Sequence, residues 1–165
     1  MVRLAAFIGL AAGLVPGLAA QEPATVPLSF QGIQAGMTWH SVESVVANQG
    51  GTLQCQATRE PRLHACTARL TVAGDVLIVT LSLVDSRVGI ALVTARLPAE
   101  RIARWHAELV NRYGERQPTR HPGQESFQWI HAGQMLRLTV RREAGGLTAS
   151  VSLLDGALLD GLPPP

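Results

Sequence analysis

The chain has 165 residues, a length that suits one domain, and carries a formal net charge of +2. Every basic residue is arginine, so chemistry through a lysine amine is excluded. The near-neutral balance offers no basic stripe to neutralise phosphates, so nucleic acid is not an expected partner.

Residues 1–20 read as an export leader. Arg3 supplies the positive start, an apolar run follows from Leu4 to Val15, Pro16-Gly17 breaks it, and Ala19 and Ala20 offer small residues for cleavage. The run is shorter than the about 20 residues that span a bilayer. The expected address is therefore periplasmic or secreted, with no transmembrane segment. Residues 21–29 are polar and carry Pro23 and Pro27, which predicts a mobile entry. Cys55 and Cys66 are the two cysteines. In an exported chain an even count favours a disulfide, worth about 2–3 kcal/mol for a loop this short. Two buried thiols, or half of a metal site, are the alternatives.

A first helix is predicted over 39–49. Thr38 can cap it, Trp39, Val42, Val45 and Val46 recur at helical spacing, and Gly50 can end it. Strands follow over 52–57 and 63–70, separated by the polar turn at 59–62, so that both cysteines lie on neighbouring antiparallel strands. Ala73-Gly74-Asp75 turns the chain into 76–84, where Leu77, Val79, Leu81 and Leu83 alternate with Ile78, Thr80 and Ser82. Asp85-Ser86-Arg87 leads to a near-continuous apolar strand over 88–97, placed centrally. Pro98 opens a second helix whose stripe is Ile102, Trp105, Leu109 and Tyr113, ending at Gly114. Residues 115–125, with Pro118, Pro122 and Gly123, read as a loop. Three alternating strands over 126–130, 135–141 and 147–153 complete the pattern, with a short segment at 155–162 and three final prolines.

These elements predict an α+β two-layer domain over 30–160: a seven-stranded, mostly antiparallel sheet with two helices on one face, in the order α-β4-α-β3. Residues 161–165 form a proline-rich tail. The two halves read as a degenerate repeat, each a helix, a glycine and a meander.

The spacing Phe30-x-x-Ile33-x-x-Gly36-Met37-Thr38-x-x-x-Val42 resembles the opening of the β-lactamase inhibitor protein fold and of the related SmpA/OmlA (BamE-like) envelope modules. The resemblance covers 30–75 and includes the cysteine pair after the helix. It implies a concave antiparallel sheet backed by helices and a protein-binding role without chemistry. It also implies a functional aspartate on the hairpin after the second cysteine, a place that Asp75 occupies here.

No catalytic constellation is present in the sequence. His40, His64, His106, His121 and His131 are scattered, no Cys-x-x-Cys or helical histidine pair occurs, and neither a nucleophile elbow nor a phosphate-binding glycine loop appears. His64 shares a strand face with Cys66, so those two form the only candidate start of a metal site, and His106 is expected on a solvated surface. The better candidate is the outward sheet face, where Gln128, Arg137, Thr139 and Arg141 project beside Thr148, Ser150 and Ser152. The expected function is a non-catalytic exported module that binds another envelope or extracellular protein across that face, with no cofactor. The alternatives are an inhibitor of a secreted enzyme such as a β-lactamase acting through Asp75, and a small metal-dependent enzyme using His64.

Overall fold

A computed structural model describes residues 26–162. The expected leader, most of the entry and the last three prolines lie outside these residues. The described chain runs β1 (Ser29–Phe30), β2 (Ile33–Gln34), α1 (Trp39–Asn48), β3 (Gln54–Ala57), β4 (Leu63–Val72), β5 (Asp75–Val84) and β6 (Arg87–Arg96). It continues α2 (Ala99–Tyr113), β7 (Thr119–His121), β8 (Gln124–His131), β9 (Gln134–Glu143), β10 (Gly146–Asp155) and α3 (Gly156–Leu159).

The expected seven-stranded sheet with two helices is incorrect. The sheet has eight antiparallel strands in the order β3-β4-β5-β6-β10-β9-β8-β7, a separate hairpin is formed by β1 and β2, and there are three helices among the described residues. The added sheet strand, β7, falls in the segment read as a loop. It pairs through Thr119↔Ser126, Arg120↔Glu125 and His121↔Gln124, and all three of its residues are exposed. An edge strand of that kind buries nothing, so it leaves no hydrophobic period. The third helix is one turn long and is capped by Asp155, whose carboxylate accepts a hydrogen bond from the Leu158 amide at 3.2 Å.

The sheet is two four-stranded meanders joined through β6 and β10. Those strands run antiparallel with Val93 opposite Val151, and each meander follows a helix. The halves are thus related by a pseudo-twofold axis through the middle of the sheet. Equivalent hairpins bear this relation out. Ala73-Gly74 joins β4 to β5 and Ala132-Gly133 joins β8 to β9, with φ of +50° and +84° in the first turn and +48° and +77° in the second. Two residues with positive φ give the turn whose twist matches that of antiparallel strands.

One sheet face is buried. Leu77, Val79 and Leu81 on β5, Ala91 and Val93 on β6, Val151 and Leu153 on β10, and Leu136 and Leu138 on β9 alternate inward. They form one hydrophobic cluster with Val42 and Val46 of α1 and with Ile102, Trp105 and Leu109 of α2, so both helices back the same face. Thr38 caps α1 by accepting from the Ser41 amide at 3.3 Å. Glu100 in the first turn of α2 and Arg112 in its last turn both suit the helix dipole.

The β1–β2 hairpin fills the helix layer beside α2. Phe30 and Ile33 are fully buried, and the Phe30 ring lies edge-on to Trp105 with centroids 4.8 Å apart. Tyr113 ties it down, its hydroxyl accepting from the Ser29 amide at 2.8 Å and donating to the Ser29 carbonyl at 3.0 Å. Leu28 and Ser29 are already buried, so the packed body begins inside the segment expected to be a mobile entry. The Gly-Met-Thr stretch then locks the hairpin to the sheet. Gly36 donates to the Val88 carbonyl at 2.7 Å and Val88 donates to the Met37 carbonyl at 2.8 Å. At φ +78°, a β-carbon on Gly36 would also sit 2.8 Å from an Asp155 carboxylate oxygen, so a larger residue there would be strained and would displace that carboxylate.

Candidate binding face

The opposite sheet face is not covered by α1 or α2. Its side chains fall into rows set by the strand registers. One row runs Thr67, Thr80, Leu92, Ser152, Arg137, Gln128 across β4, β5, β6, β10, β9 and β8. A second runs Arg69, Ile78, Thr94, Ser150, Thr139, Ser126. On one side of these rows lie Arg96, Thr148, Arg141 and Gln124; on the other, Ile90, Leu154, Met135 and Ile130. The last four form an apolar band across four adjacent strands, and Ile130 is 64% exposed.

Gln128, Arg137, Thr139 and Arg141 are therefore brought together on this face. Arg137 donates through Nε and Nη2 to the Gln128 amide oxygen, at 3.1 and 2.6 Å. Arg141 donates through Nε to the Gln124 amide oxygen at 2.9 Å. Thr139 lies between them, only 8% exposed, at the floor of the face. Both glutamines pair across β8 and β9 with the arginine they hold. A neutral acceptor fixes the direction of a guanidinium without cancelling its charge, which leaves the group oriented and cationic.

Asp75 is placed elsewhere. It faces the helix side, where its carboxylate accepts from Arg101 of α2 at 2.8 Å; the same guanidinium donates to the Ala73 carbonyl at 3.0 Å. The Asp75 side chain is 18% exposed and committed to that pair, so the hairpin tip does not present a free carboxylate. Asp75 and the four sheet-face residues belong to different surfaces.

Cys55 and Cys66 sit directly opposite one another on β3 and β4 and are joined as a disulfide. That bond consumes the thiolate a metal site would have shared with His64, which instead lies edge-on to Trp39 at 6.5 Å between ring centroids. Among the described residues no group of three or more His, Cys, Asp or Glu is placed to hold a metal. His106 is not on the solvated surface expected of it. Its ring packs on Phe127 of β8, centroids 4.1 Å apart, and its Nε2 is buried. At the β4–β5 end of the sheet Arg62 donates through Nε to both carboxylate oxygens of Asp85, at 3.0 and 3.1 Å. Those hydrogen bonds hold the exposed Asp85 carboxyl below the usual carboxylate range.

The apolar band and the glutamine braces were missed by sequence reasoning. Each depends on cross-strand register, and the only local signal is the out-facing parity of Met135, Arg137 and Arg141 on β9. No described helix is long and apolar enough to cross a membrane. Comparison with protein families, with curated proteins and with solved structures returned no match for this chain.

Proposed function

We propose that this chain is a non-catalytic binding module, exported from the cytoplasm, that engages another protein across its uncovered sheet face. The carrying observation is the apolar band of Ile90, Leu154, Met135 and Ile130 on the sheet face opposite α1 and α2. Within the band Ile130 is exposed and Ile90, Leu154 and Met135 are half-buried, and Val76, Ile78 and Leu92 elsewhere on that face are exposed. Exposed apolar groups arranged as a patch with a polar surround favour partner binding over simple solvation. Eight strands about 4.8 Å apart, up to ten residues long, offer on the order of 1,000 Å². That exceeds the roughly 800 Å² each partner contributes to a standard interface.

The disulfide supports an oxidising compartment, and the leader-like 1–20 segment supports export. The resemblance of 30–75 to the β-lactamase inhibitor and SmpA/OmlA-type modules supports binding rather than chemistry. The Asp75–Arg101 pair weighs against the alternative of enzyme inhibition through Asp75.

The test is a capture experiment from an envelope or culture extract with the mature protein immobilised. Ser150→Trp plants a bulky ring in the middle of the face, on the central strand β10, without touching the core. It should abolish saturable capture, while Ala103→Trp on the exposed side of α2 should leave it unchanged. Capture insensitive to Ser150→Trp would reject the face.

A further inference from the structure

The charge on the uncovered face is one-sided. Arg69, Arg96, Arg137 and Arg141 lie on it, and among the described residues of the sheet Glu143 is the one carboxylate that joins them. Glu143 is already used. It pairs with Arg96 at 3.7 Å and accepts from the Thr148 hydroxyl at 2.9 Å. Arg69, Arg137 and Arg141 have no carboxylate partner among the described residues.

Away from this face Arg62, Arg101, Arg112 and Arg120 pair with carboxylates, whereas Arg59, Arg87, Arg104, Arg116 and Arg142 do not among the described residues, so what marks the face is how its arginines are held. On the face, the two arginines of β9 are instead held by glutamine. Gln128 and Gln124 carry one heavy-atom exchange relative to glutamate, so the same brace with a carboxylate would fit and would neutralise the site. Arg141 retains both terminal nitrogens, and Arg137 retains Nη1, for donation outward. Such pre-oriented forks suit carboxylates and reduce the ordering cost of binding.

We infer that the partner of this face is a folded protein with an acidic surface, bearing carboxylates that meet Arg137 and Arg141 and an apolar side chain that meets the Ile90–Ile130 band. This rests on the proposed role of the face and adds its chemistry. Four residues along a strand set the two arginines about 13 Å apart, and Met135 lies two residues beyond Arg137 in the same direction. The matching surface therefore presents two acids about 13 Å apart with an apolar contact about 7 Å further on. A polyanion would meet the arginines but would leave the exposed Ile130, Ile78 and Leu92 unpaired.

A peptide of defined sequence tests this. The extended peptide acetyl-Glu-Ser-Thr-Ser-Glu-Ser-Leu-amide reproduces the spacing, and its binding to isotope-labelled full mature protein is followed by NMR. The expected result is shifts confined to β8, β9 and β10 and to the Nε–H signals of Arg137 and Arg141. Affinity should fall about ten-fold or more with the glutamine analogue of the peptide, and equally in the Gln124→Glu/Gln128→Glu variant. That variant changes charge at constant shape, and its dispersed amide spectrum reports that it remains folded. No shift with the acidic peptide, or equal shifts with its glutamine analogue, overturns the acidic partner. Tighter binding of a short DNA duplex than of the peptide, through the same Nε–H signals, also overturns it in favour of a polyanion. Loss of capture in Ser150→Trp is independent of charge, so failure of the acidic inference and failure of the binding face are read separately.

Discussion

Trp129→Ala lowers the unfolding free energy by about 3–5 kcal/mol, the range for removing a buried tryptophan from a core. Trp129 is 1% exposed, and its Nε1 donates to the Gly114 carbonyl at 2.8 Å, where α2 ends. The indole therefore joins the outer part of the sheet to the helix layer. Its loss opens a cavity and strands a carbonyl, the second of which costs about 1–3 kcal/mol where water cannot replace the donor. Gln128 and Ile130 flank Trp129 on β8 and face the other way, so loosening this root also loosens the brace on Arg137. Urea denaturation checks the stability, and Trp129→Phe separates the terms by keeping a ring while losing the hydrogen bond. A loss below about 1 kcal/mol for the alanine variant would show that β8 is not anchored this way.

Reduction of the Cys55–Cys66 bond removes about 3 kcal/mol, by the loop-entropy relation for a sequence separation of 11. The effect is directional in the structure. β3 has four residues, lies at an edge of the sheet and is mostly exposed, so the bond supplies much of what holds it to β4. Unfolding measured with and without reductant gives the magnitude. Hydrogen exchange gives the location, with protection lost first over Gln54–Ala57 and retained in β9 and β10. Identical stability with and without reductant would show that the thiols are unpaired in solution.

What could be read from the sequence was whatever repeats locally. Leu77, Val79, Leu81 and Leu83 alternate with outward-facing neighbours, as do the residues of β9 and β10, because one face of each strand meets the core. The stripe of α2 was legible for the same reason, although His106 beside it was not, since only the placement of Phe127 under α2 buries its ring. β1 and β2 are two residues each, too short to show a period, and are defined by the positive-φ turn at Gln31-Gly32. β7 lies between prolines and is wholly exposed. The joining of β6 to β10 brings together segments far apart in the chain and leaves no local mark.

The candidate face shows the same division. That Arg137, Thr139 and Arg141 share one side of β9 follows from the period of a strand. That glutamine rather than glutamate stands opposite each arginine follows only from the β8–β9 register. The apolar band likewise takes one residue from each of four strands, and its Ile90–Leu154 step depends on the long-range pairing of β6 with β10.

Site-specific photo-crosslinking gives the most direct reading of whether the uncovered face is the working surface. A photoreactive residue is placed at Ser150, on the open face, and separately at Ala103, on the exposed side of α2, and each protein is irradiated in the extract where the chain resides. Discrete adducts from Ser150 and none from Ala103 are the predicted result. Adducts from Ala103 alone would place the partner on the helix side and contradict the account.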